Sequence, residues 1–111
     1  MNADSLVDQV MRKLFPMTVP GDEPDELATR RIECDIIPSA KVEIAHLVGI
    51  DAEKFDFSQP GAENALLLSW CFYEWHDALD DFEANYAAQI ARCREKWAVR
   101  AHAEEKAAAE L

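Results

Sequence analysis

The stretch LLLSWCFYEWHDALDDFEANY, Leu66 to Tyr86, most constrains what this chain can fold into. It crowds paired Trp, Phe and Tyr residues together with a Cys, a His and a run of acids. Indexed at the helical angle, Leu68, Phe72, Trp75, Leu79, Phe82, Tyr86, Ile90, Cys93 and Trp97 fall within about 40° of one line. This spacing predicts one helix starting around Gly61 to Glu63 and running past Trp97. At helical rise its stripe would be roughly 45 Å long. Large residues at this period are core or interface, not a cofactor box.

The first turns of that helix are apolar all round. Leu66, Trp70 and Tyr73 lie opposite the stripe, and Leu67 with Cys71 fill one flank. Such an end must be covered on more than one side. The chain's other helices can cover one side, and another copy of the protein is expected on the other. Charge along the helix is segregated as well. Glu74, Asp77, Asp80, Asp81 and Glu83 come without an intervening base, and Arg92, Arg94, Lys96 and Arg100 follow. That polarity suits the helix dipole. It also lets the acidic part of one copy meet the basic part of the next. The candidate interface is therefore Leu66, Trp70, Tyr73, Asp77, Asp80, Asp81, Arg92, Arg94 and Arg100.

The rest of the chain reads as shorter helices. Leu6, Val10 and Leu14, with Val7 and Met11 beside them, mark a first helix capped by Asp4 or Ser5 and ended by Pro16. PMTVPGDEP, residues 16–24, is a loop. A second helix begins near Asp25 and reaches about Ile37, where Pro38 either kinks it or opens the next helix. Val42, Ile44, Leu47 and Val48 supply that helix's apolar residues, and Gly49 suits a left-handed cap onto which Ile50 folds back. Phe55 and Phe57 pin the following loop to the core. No segment alternates convincingly, so no strand is predicted. The expectation is one all-α domain over residues 1–111, a small helical bundle with one long C-terminal helix. Residues 98–111 form a helical tail ordered on assembly, because the stripe stops at Trp97 and a short helix with no face to bury is marginal in water.

The chain carries 22 acids against 11 bases, a formal charge of −11. This disfavours adhesion to nucleic acid or anionic lipid, which need a positive field. No apolar run approaches a membrane span, and the acidic start does not resemble a signal peptide, so the chain is expected to be intracellular at synthesis. Cys34, Cys71 and Cys93 form no C-x-x-C pair and are expected to be buried free thiols. His76 and Asp80, one turn apart on the predicted helix and near Glu83, could touch a surface metal, but they are not the closed set zinc requires. No Ser or Cys has a base at a motif spacing, and no glycine loop cradles phosphate. The expectation is a protein without catalytic, cofactor or metal residues.

The segments KVEIAHLVGID and NALLLSWCFYEWHDALDDFEANYAAQI resemble the head-to-tail connector, or adaptor, proteins of long-tailed bacteriophages. There a helix ending in a GI turn precedes an LLL-x-x-C-x-Y segment and then F-x-x-N(F/Y). The matching residues are Leu66, Leu67, Leu68, Cys71, Tyr73, Phe82, Asn85 and Tyr86. The resemblance covers about residues 25–95. It implies a virion protein made in the host cytoplasm, assembling as a ring, commonly of twelve copies, at the capsid vertex. The partners implied are further copies, the portal, and a downstream connector, stopper or tail protein. DNA would pass through the bore without specific binding. Two readings from other classes stand beside it. One is an acidic inhibitor or DNA mimic occupying a basic site on a host protein. The other is a metal-assisted enzyme using His76 and Asp80.

Overall fold

The structure, a computed structural model, describes residues 5–17 and 24–110. Among these every regular element is a helix. Helix α1 spans Leu6–Leu14, with the Ser5 side chain accepting from the Asp8 N–H at 3.2 Å. The alternative cap, Asp4, and residues 18–23 of the first loop lie outside the described residues. Val10 and Leu14 are buried, while Leu6, Val7 and Met11 pack partly against the core.

Helix α2, Glu26–Arg31, is capped by Asp25, whose carboxylate accepts from the Ala28 N–H at 2.8 Å. Pro38 lies in the first turn of the next helix, one of the two places expected of it. A π-helical turn, Ile32–Ile36, joins α2 to α3, Ile37–Val48, and the Ile37 N–H reaches back five residues to the Ile32 carbonyl. An unbroken α-helix would press the proline ring on the Cys34 carbonyl and leave that carbonyl without a donor. The wider turn just before it absorbs the mismatch. Gly49 then ends α3 at φ 80°, ψ 42°, with the Gly49 and Ile50 N–H groups both donating to the Ala45 carbonyl. Ile50 packs against the core as expected. Val42 does not: it is 64% exposed.

The predicted single helix is two. Helix α4 spans Ala62–Trp75 and α5 spans Phe82–Ala109, with a 3₁₀ turn at Leu79–Asp81 between them. The stop has a Schellman pattern: Ala78 N–H donates to the Tyr73 carbonyl at 2.8 Å and Asp77 N–H to the Glu74 carbonyl at 3.1 Å. Asp77 takes the left-handed position at φ 55°, a place where glycine is usual and Asp is tolerated. Asp81 and Glu83 then sit at the start of α5, where the helix dipole favours negative charge. The continuous 45 Å stripe is thus cut in the middle.

Its halves have different neighbours. On α4, Leu68 lines a depression with Arg12 and Lys13 of α1, and Trp75 meets Phe15 edge-on at 5.4 Å. Phe72 stays 38% exposed beneath the Lys13 ammonium. On α5, Phe82, Ile90 and Cys93 are buried, with Tyr86 stacked on Phe82 at 5.0 Å. Phe57 is 1% exposed and Phe55 bridges to Trp97 at 5.6 Å, so both pin the second loop as expected. No helix among the described residues is long and apolar enough to cross a membrane.

The break generates two expectations. Phe82→Ala should cost roughly 3–5 kcal/mol, as for a fully buried aromatic, and Trp75→Ala less because Trp75 is only half-buried. Asp77→Gly should raise the melting temperature, while Asp77→Val should lower stability by roughly 1–2 kcal/mol. Urea melts of the set check both, and equal stability of the Gly and Val variants would sink the left-handed stop.

Candidate functional site

Gly61 precedes α4 at φ 155°, and a Cβ there would stand 3.3 Å from Glu63 Oε1. The absent side chain leaves room for the polar centre of the fold. Glu63, in the first turn of α4, is only 5% exposed. Its Oε2 accepts from Lys96 Nζ at 2.5 Å, Trp97 Nε1 at 2.7 Å and Cys93 Sγ at 3.2 Å, all on α5. Asn64, the next residue, faces the other way. Its amide donates to Gln9 Oε1 on α1 at 2.6 Å and to the Phe57 carbonyl at 2.7 Å. Gln9 in turn donates to the Ser58 carbonyl at 2.9 Å. Two adjacent residues therefore clasp both sides of the bundle.

Burial alone pushes the Glu63 carboxyl up. Hydrogen bonds from Lys96, its own backbone N–H, Trp97 and Cys93 outweigh that and bring it down to about 2. The same surroundings raise the Cys93 thiol to about 11 through burial and the Glu63 carboxylate. Cys71 is pushed up to about 12 by burial and Glu74. Neither thiol is a thiolate nucleophile near neutrality. Cys34 departs from expectation: it sits in the π turn and is exposed, because the wider turn faces outward there.

The predicted interface residues separate into those the chain already uses and those it leaves free. Leu66 and Trp70 are 3% and 8% exposed, so the chain by itself already buries most of both, with an edge of Trp70 reaching a surface depression. Tyr73 accepts from the Asn85 amide at 3.0 Å and meets Phe82 and Tyr86 edge-on. Arg94 donates from Nε to the Leu47 carbonyl at 2.8 Å, satisfying the end of α3. The Arg100 guanidinium lies over Trp97 at 4.9 Å. Asp77, Asp80, Asp81 and Arg92 are exposed. His76 and Asp80 no longer share a helix, since His76 caps α4 and Asp80 lies in the 3₁₀ turn. Among the described residues no three His, Cys, Asp or Glu side chains group to hold a metal.

Glu63 was missed in the sequence because one acid in a helical first turn looks like an ordinary dipole partner. The available signal was its spacing of thirty or more residues from Cys93, Lys96 and Trp97, which only the break at Asp77 makes a contact. Comparison with known proteins gave no match: no family model, curated protein or solved structure is similar to this chain.

The geometry fits a structural clasp, and its pH dependence follows. The folded carboxyl lies below its ordinary value of 4.5, so its stabilisation is complete above about 4.5 and is lost as pH falls toward about 2. The shift corresponds to at most about 3 kcal/mol, and to nearer 2 because the partner Lys96 is half-exposed and screened. Acid melts should show that loss, and Glu63→Gln should be less stable at neutral pH with a flatter profile between about pH 4.5 and 2. Identical profiles would exclude Glu63 as the clasp.

Proposed function

We propose that the protein is a structural assembly subunit, a head-to-tail connector whose copies form a ring beneath a bacteriophage portal. The observation that best supports this is the far half of α5. From Ala98 to Glu110 every residue is exposed, yet the helix continues to Ala109. Its twelve residues beyond Trp97 add about 18 Å of helix, of which Arg100 reaches back over the Trp97 ring. A helix segment with no buried face has little reason to persist unless another chain covers it. The resemblance of residues 25–95 to connector proteins supplies the partner class: the portal on one side and a stopper or tail protein on the other.

In this reading the bundle is the body of the ring and α5 is its outward arm. The acidic surface suits a bore through which duplex DNA moves without adhering, since like charge repels the phosphates. The DNA-mimic reading shares the charge but requires a monomer or dimer, and leaves the projecting arm without a task.

Deleting residues 99–111 tests the role of the arm. The shortened chain should keep its melting temperature, because none of the described residues it loses is buried, and should lose binding to portal or assembled heads. Equal incorporation of both forms into particles would overturn the docking role. Native mass and electron microscopy of the full chain, alone and with portal, should show rings. A persistent monomer in both conditions would favour the mimic.

A further inference from the structure

Two exposed valines, one on α3 and one on α5, mark matching surfaces. On α3, Val42 is 64% exposed beside Pro38 and Glu43, in a depression of about 460 Å³ that ends on Trp70. A second depression of about 310 Å³ continues from Trp70 and Ser39 to Asp35 and Glu74. Together they make one groove, apolar around Pro38 and Val42 and more polar toward Asp35, with a rim of three carboxylates. Arg31, the cation among the lining residues, already lies over the Trp75 ring at 5.2 Å.

On α5, Val99 is 63% exposed. Arg92 stands seven residues before it and Lys106 seven after, so the three share one line of the helix with a drift of about 20° per step. All three are exposed, and Lys96 and Arg100 flank the same depression as Val99 and Arg92. One surface is thus a groove with an acidic rim, and the other an apolar residue among Arg92, Lys96 and Arg100, with Glu95 the acid lining the same depression.

We propose that the Arg92–Val99–Lys106 line of one copy lies in the Val42–Trp70 groove of the next. Val99 packs on Val42 and the Trp70 edge, while Arg92 and Lys106 meet Asp35, Glu43 and Glu74. The two surfaces differ, so the contact is heterologous and each copy has one of each to offer. Repetition of such a contact gives a closed ring or an open chain. This deepens the ring reading and rests on it for closure, but names its own residues.

The test is disulfide capture in a Cys34→Ser background, since Cys71 and Cys93 are buried. Val42→Cys protein mixed with Val99→Cys protein should form a covalent heterodimer at least about ten-fold faster than Val42→Cys mixed with Ala88→Cys, because a docked pair raises the effective thiol concentration. Arg92→Glu with Lys106→Glu in the Val99→Cys chain should remove that advantage. Asp35→Lys with Glu43→Lys in its partner should restore it. Circular dichroism confirms that each variant is folded before it is scored. Capture at the control rate overturns the contact, and if native mass still shows rings, the connector reading survives without it. Rapid capture, with native mass of the full chain showing open chains and no closed ring, keeps the contact and removes the closed ring.

Discussion

The carboxylate of Glu63 is the interaction on which the arrangement of this chain depends. Helix α5 is mostly polar, with Phe82, Ile90 and Cys93 as its fully buried residues. Apolar contact alone gives so thin a seam little directional preference. One buried acceptor that takes three donors from α5 fixes both the rotation and the height of that helix. Replacing any donor leaves a buried carboxylate less well satisfied, which is costly in a low-dielectric setting. Asn64 does the same for α1 and the second loop with neutral groups. The first turn of α4 therefore organises the bundle, and the apolar core fills in around it.

The Schellman stop at Asp77 follows from this need. A straight helix from Gly61 to Ala109 would carry the Glu63 carboxylate roughly 50 Å from Lys96 and Trp97. Turning the chain at Asp77 and restarting it at Phe82 folds α5 back along α4. Tyr73 fastens the corner by touching Phe82, Tyr86 and Asn85 at once.

Much of the fold was legible in the sequence. Ser5, Asp25, Gly49 and the two phenylalanines of the second loop act as their local chemistry predicts. The break was not, because the residues from Trp75 to Phe82 keep helical periodicity by coincidence: Leu79 falls on the stripe although it belongs to the 3₁₀ turn. The clue lay in the acids. Asp77 can take a left-handed backbone, and Asp81 and Glu83 suit a helix start, yet both also read as a solvated face. Leu66 and Trp70 were legible as buried but not by what. Their cover comes from the same chain, a tertiary fact that periodicity does not carry. The interface charges divide likewise: Arg94 is spent on the Leu47 carbonyl, while Arg92 is left to solvent.

The projecting half of α5 also has a mechanical meaning. The helix is gripped near its middle by Arg94, Lys96 and Trp97, and beyond Arg100, which lies over Trp97, its residues stand clear. It is a lever whose fulcrum is a cluster of charge-assisted hydrogen bonds. A sideways load at the tip would be felt first at Glu63 and the end of α3, and only later by the apolar core. Hydrogen bonds of this kind are short-ranged and directional, so such a joint holds firmly and then yields over a small displacement. A pull on the arm would reach the first turn of α4 before it disturbed anything else.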